Sequence, residues 1–245
     1  MMMPAARSSD RFATTRWSVV MQAASAESTD ASHALTELAQ RYWYPVYAYV
    51  RRCGHAPAIA QDITRCFLRG LMQQFGDSVT RHPHGHFRRY LLDQLNAFLG
   101  GDWREVVDDD DAAGLAAPED LEVRNSRDNA SATSPEQAYE RSFALEVIAR
   151  ALRRLHSEAR QTGHLAMYRA LEPHLANDAA PGEYEAIAMQ LQTRPLALIV
   201  ALKRLRQRFR ELVGQELADT VTSAEDLAAE QAALHAVLSG MQTRA

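Results

Sequence analysis

The stretch "GEYEAIAMQLQTRPLALIVALKRLRQRFRELVGQEL", Gly182 to Leu217, decides how the chain is read. It holds two helical patterns parted at about Gln192–Thr193. Thr193 is placed to cap the second pattern. Pro195 is tolerated in a first turn, where its missing N–H has no intrahelical partner to lose. Two helices with a tight break, the second rich in Arg and Lys, form a helix-turn-helix candidate. Arg194, Lys203, Arg204, Arg206, Arg208 and Arg210 bring six positive charges within 17 residues, a cluster able to neutralise phosphates. The same cluster also suits a solvated amphipathic helix whose charges serve solubility.

Working outward, helical spacing dominates. "SPEQAYERSFALEVIARALRRLHSEA" begins with Ser134 before Pro135, an N-cap and first-turn pair, and "LAMYRALEPHL" follows. Upstream, "SHALTELAQRYWYPVYAYVRRCG" is a helix with Gly54 as its stop and Pro45 as a kink or a new start. "HAPAIAQDITRCFLRGL" (His55–Leu71) has Ile59, Ile63, Cys66, Phe67 and Gly70 on an apolar side. Gln61, Asp62, Arg65 and Arg69 lie opposite, with Thr64 at the edge. "HFRRYLLDQLNAFLGGDWR" ends at glycine, and "FATTRWSVVMQAA" is a shorter helix candidate. No alternating strand run stands out, so the expected class is all-α, built as two helical bundles.

Composition narrows the class. The chain has 245 residues, 47% hydrophobic and 24% charged, as a globular protein does. No apolar run approaches the roughly 20 residues that cross a bilayer. The start "MMMPAARSSDRF" has no signal-peptide core, so a cytoplasmic location and no membrane partner are expected. Cys53 and Cys66, the two cysteines, are isolated and suggest neither a disulfide framework nor a zinc site. The net charge of -4 argues against nucleic-acid binding by bulk charge, so a local basic patch has to carry any such function.

Charge is unevenly spread. No Lys or Arg lies between Glu105 and Glu122, and Asp108–Asp111 is a run of four acids. With the polar "NSRDNASATSP" after it, residues 105–134 read as a flexible acidic linker. The expected division is a disordered start at 1–10, a bundle at 11–104, the linker at 105–134, a bundle at 135–215 and a helical extension at 216–245. Leu227, Leu234 and Leu238 in that extension have the spacing of a packing face.

Several segments, in order, resemble one family. "FATTRWSVV", "YWYPVYAYVRRCG", "HFRRYLLDQLNAFLGGDW", "EYEAIAMQLQTRPLALIVALKRLRQRFRELV" and "ELADTVTSAEDLAAE" look like conserved segments of extracytoplasmic-function RNA polymerase sigma factors. The similar subgroup is the one associated with Ser/Thr protein kinases. The resemblance runs from about Arg11 to Leu238. It implies a transcription initiation factor rather than an enzyme, with no cofactor. Sigma domain 2 would bind core RNA polymerase and the promoter minus-ten element. The helix-turn-helix, as sigma domain 4, would bind the minus-thirty-five element. Core polymerase, promoter DNA and a Ser/Thr protein kinase are the implied partners.

The resemblance also assigns residues. Gln61, Asp62 and Arg65 would lie on the polymerase-binding helix. Relatives carry carboxylates where this chain has Ile59, Gln61 and Cys66, so only Asp62 remains of an acidic patch. A weaker patch binds a basic partner less well. Phosphorylation of Thr64, one turn beyond Gln61, would add roughly −1.5 to −2 charges and restore it; the plainer reading is a helix-boundary threonine. Arg88 and Arg89 would meet unstacked single-stranded DNA. Arg194, Lys203, Arg204, Arg206 and Arg208 would meet promoter duplex. In the second helix, Leu196 and Ile199 stand where relatives have Gly and Lys, which reduces polar base readout but allows contact with thymine methyls. Asp108–Asp111 would cover a basic surface or mimic nucleic acid, or serve only as a solvated linker. "HPHGH" (His82, His84, His86) lacks acidic or cysteine partners at ligand spacing, so no metal is expected. No phosphate loop or nucleophile–base motif is present. The rival reading is a degenerate sigma-like helical interaction module that no longer binds promoters.

Overall fold

The computed structural model describes residues 29–73, 86–104 and 120–242. Every regular element among them is helical. The chain resolves into two compact units: residues 1–146 with 217–245, and residues 147–216. The expected bundle at 135–215 and extension at 216–245 therefore divide differently, since residues 135–146 and the C-terminal segment belong with the first unit. The candidate helix at "FATTRWSVVMQAA" and the acids Asp108–Asp111 lie outside the described residues.

The first unit is built on α1 (Thr29–Arg52) and α2 (Pro57–Gln73). Its aromatic run packs inward: Tyr42, Trp43, Tyr44, Tyr47 and Tyr49 are all buried. Pro45 sits inside α1 without ending it. Gly54 ends the helix as expected, at φ 99°, a left-handed value that side chains disfavour. Next come α3 (Phe87–Leu99) and α4 (Leu121–Asp128). Phe87 meets Tyr42 edge-on at 5.0 Å, and Phe143 stacks on Tyr42 at 5.3 Å. Such aromatic pairs add about 0.5–1.5 kcal/mol beyond the area that they bury.

The flexible linker is corrected in its second half. Residues 121–128 form α4, and Leu121, Asp128, Asn129 and Ala132 are buried. Local composition is too polar to predict this, because the partners are distant in sequence. Glu122 takes a two-pronged bond from Arg51 at 2.8 and 2.6 Å and another from the Tyr47 hydroxyl at 2.6 Å. Asp128 accepts from the buried Tyr44 hydroxyl at 3.0 Å. Arg124 lies over the Tyr44 ring and pairs with Glu146 at 2.9 Å. The backbone polar groups that a loop leaves to water are thus held by the helix, and its charges by α1 and by α5 (Pro135–Gln161). Ser134 caps α5 as read from the sequence, accepting from Gln137 N at 3.2 Å.

The second unit holds the latter part of α5, then α6 (Leu165–Leu171), a short 3-10 turn (Glu172–His174) and α7 (Glu183–Gln190). Most of α8 (Pro195–Ala218) belongs to it as well. Ala151, Leu155, Ala159, Tyr168 and Leu212 form one part of its core, and Leu171, Ala188, Leu198 and Leu202 another. The last helix, α9 (Ala224–Gln242), returns to the first unit. Ser223 caps its start: the hydroxyl accepts from Asp226 N at 3.0 Å and donates to the Asp226 carboxylate at 2.8 Å. Leu234 is buried and Leu227 packs on Ala218 and Val221, in line with the expected face. No helix among the described residues is long and apolar enough to cross a membrane.

The Arg51–Glu122 contact gives a pH-dependent expectation. Hydrogen bonding from Arg51 holds the Glu122 carboxyl below its ordinary value of 4.5. A depressed carboxylate contributes stability that is present above the ordinary value and is lost as pH falls through the native one. Glu122→Gln is therefore expected to lower Tm at neutral pH, and the deficit should shrink below about pH 4.5. Partial exposure keeps the effect to about 1 kcal/mol, or roughly 2–4 °C. A deficit unchanged from neutral pH to about pH 3 would show that the ionised pair contributes nothing.

Candidate functional site

The two helical patterns of the Gly182–Leu217 stretch form two helices, α7 and α8, and most of the stretch lies in the second unit. α7 and α8 are joined by Leu191–Arg194, and Gln192 takes a left-handed φ of 51° at the break. Thr193 is not the capping residue: the Arg194 carbonyl accepts the first α8 bonds, from Ala197 N at 2.9 Å and Leu198 N at 3.3 Å. Pro195 occupies the first helical position, as expected. Leu198 and Leu202 turn into the core with Ala188 of α7, which sets the orientation of α8. Its opposite face then carries Leu196, Ile199, Val200, Lys203 and Arg204, all exposed.

The six cations of this segment separate into different roles. Arg194, Lys203 and Arg204 are exposed and have no ion-pair partner among the described residues. Arg210 is exposed and donates to Gln207 at 2.8 Å. Arg206 instead clamps a loop of its own unit. Its guanidinium donates to the carbonyls of His174 at 2.7 Å and Asn177 at 2.9 Å, and it pairs with Asp178 at 2.9 Å. Arg208 grips Glu158 with two bonds, at 2.8 and 2.7 Å, and Glu211 at 3.1 Å. Those bonds raise the Arg208 guanidinium pKa and lower that of Glu158. Arg206 and Arg208 are thus paired within the fold, whereas Arg194, Lys203, Arg204 and Arg210 are the cations of the segment without an ion pair among the described residues.

Around these cations the surface is apolar. Leu196 is 71% exposed, Ile199 48% and Val200 43%, and Met189 at the end of α7 reaches 80%. Leu196 and Ile199 stood out in the sequence. Met189 did not, because a methionine within a helical pattern carries no sign of its exposure.

In the first unit the assigned residues are also redistributed. Arg88 is not open to single-stranded DNA. Its guanidinium bonds to Glu140 at 2.6 Å and Glu230 at 3.2 Å, and it lies over the Phe143 ring. Glu230, on α9, is 3% exposed, and His86 Nδ1 lies 2.8 Å from the same carboxylate oxygen, out of line for a hydrogen bond. His86 Nε2 is 3.6 Å from Asp226, so the imidazole lies beside two carboxylates of α9; His82 and His84 lie outside the described residues. Arg89, by contrast, is exposed. Among the described residues no group of three or more His, Cys, Asp and Glu is placed to hold a metal ion.

On α2, Asp62 pairs with Arg65 at 2.9 Å and Gln61 is half-buried, so the helix's one carboxylate is already matched. Thr64 is not at the helix edge. It is fully buried, and its hydroxyl donates to the Ala60 carbonyl at 2.7 Å. Helix rotation explains the misplacement: Ala60, Ile63, Thr64, Phe67, Leu68 and Leu71 form the inward face, while Ile59 turns outward at 41% exposure. No family model matches the chain, and no curated protein or solved structure does either.

The Thr64 position generates a direct expectation. Thr64→Glu places an unpaired charge in the core, which costs about 3–5 kcal/mol and lowers Tm by roughly 10 °C. Thr64→Val keeps the volume and gives up one hydrogen bond, at about 1 kcal/mol. Thermal unfolding followed by circular dichroism separates them. Equal Tm values for Thr64→Glu and the parent would place residue 64 at the surface.

Proposed function

We propose that the chain is a sigma-factor-like specificity subunit of RNA polymerase, in which the second unit binds duplex promoter DNA and the first unit meets core polymerase. The observation that carries this reading is the exposed face of α8, where Lys203 and Arg204 follow the turn at Arg194 with no internal partner among the described residues. A second helix of this kind suits major-groove docking, and its free cations suit phosphate contacts. The ordered resemblance of the sequence segments to extracytoplasmic-function sigma factors supports the same conclusion. In this role the protein is a binding factor rather than a catalyst, and it acts in the cytoplasm.

Kinase control takes a different form from a surface charge switch. A kinase reaches the Thr64 hydroxyl only when the inner face of α2 is open. A phosphate there would hold the first unit in a rearranged state rather than mend an acidic patch. The rival reading, an interaction module without promoter binding, draws on the internal pairing of Arg88, Arg206 and Arg208.

Run-off transcription with core polymerase, with and without the full chain, tests the proposal. Promoter-specific transcripts that depend on the chain are expected. Lys203→Ala and Arg204→Ala should each reduce the slope of log affinity against log salt by about 0.9 for a lost phosphate contact. Arg208→Ala should lower Tm and leave the slope unchanged. Specific transcripts absent under all conditions, or a slope indifferent to Lys203 and Arg204, would overturn it.

A further inference from the structure

The chemistry of the α8 face points to what kind of sequence it reads. In helix-turn-helix docking, side chains at the start of the second helix meet base edges in the major groove. Here those positions are Leu196, Ile199 and Val200, exposed on one face of the first turns. None of them can donate or accept a hydrogen bond, so the bidentate readout of guanine or adenine is closed to them. The base-edge group that an aliphatic side chain recognises in the major groove is the C5-methyl of thymine. Ile199 and Val200 are β-branched and hold few rotamers in a helix, so little side-chain entropy is lost on contact. Arg194 precedes the apolar positions and Lys203 and Arg204 follow them, so exposed cations flank the patch along the helix on both sides.

We infer that Leu196, Ile199 and Val200 read a cluster of thymine methyls in duplex DNA, with Arg194, Lys203 and Arg204 holding the backbone; this rests on the proposed duplex-binding role of the second unit. A protein partner is the competing occupant of an exposed apolar patch. The charge pattern disfavours it, because Lys203 and Arg204 border the patch within one turn and charged residues are depleted from the cores of protein interfaces.

The test uses the full chain with a pool of duplexes carrying a random central segment, alone and in the presence of core polymerase. Bound duplexes are recovered and sequenced, and the consensus is remade with deoxyuridine replacing thymidine at each position in turn. Deoxyuridine pairs identically and lacks only the methyl. The expected consensus contains adjacent thymines, and each critical replacement weakens binding by about threefold to tenfold. Ile199→Ser and Val200→Ser should abolish the discrimination between thymidine and deoxyuridine while keeping the salt slope. Both side chains are exposed, so the fold is retained. Lys203→Ala should do the reverse, keeping discrimination and reducing the slope. A bound consensus that is indifferent to every deoxyuridine replacement overturns the inference and leaves duplex binding standing. No duplex retained under either condition overturns the duplex-binding role itself, and the inference with it. In that case, loss of polymerase binding on Ile199→Ser would assign the patch to a protein contact.

Discussion

A carboxylate removed from water has to meet a cation, and this constraint organises both units. Asp128, Glu146, Glu216 and Glu230 are each under a tenth exposed, and each has an arginine within ion-pair distance. Asp128 and Glu146 share Arg124, Glu216 meets Arg154, and Glu230 meets Arg88. Such pairs add little net stability over apolar replacements, but removing one partner costs about 3–5 kcal/mol. Within the first unit, Arg124 ties α4 to α5 through Glu146, and Arg88 ties α3 to α9 through Glu230.

The same constraint decides which surface is left for a partner. A formal cluster of six cations in the α7–α8 segment shrinks once Arg206 and Arg208 are seen to serve their own unit. In α3, the Arg88–Arg89 pair is similarly divided, one inward and one outward. Arg194, Lys203, Arg204 and Arg210 remain exposed, the first three set around an apolar patch. A basic stretch in a sequence is therefore an upper bound on a basic surface. The face that results is modest in charge and largely aliphatic at the start of α8.

What was legible in the sequence follows the range of the interactions involved. Helices governed by local periodicity and capping were readable: α1 with its stop at Gly54, α5 with Ser134 and Pro135, and the α7–α8 pair with its break near Gln192. α4 was not, because its residues are polar and its partners Arg51, Tyr47 and Tyr44 lie more than 70 positions away. Thr64 was misplaced by a small error in helix phase. A threonine between apolar and polar arcs can face either way, and burial follows from the neighbouring helix rather than from spacing. The occupation of Arg206 by the His174 and Asn177 carbonyls was likewise invisible, since backbone acceptors leave no signature in side-chain pattern.

The central claim is that the outer face at the start of α8 meets duplex DNA when the chain is assembled with core polymerase. The most direct measurement is photo-crosslinking from a benzophenone side chain placed at residue 199 in that assembly on a responsive promoter. The account predicts covalent attachment to DNA in the upstream duplex, lost when Lys203 and Arg204 are both replaced by alanine. Attachment to a polymerase subunit or to a second copy of the chain, with no labelled DNA, would contradict it.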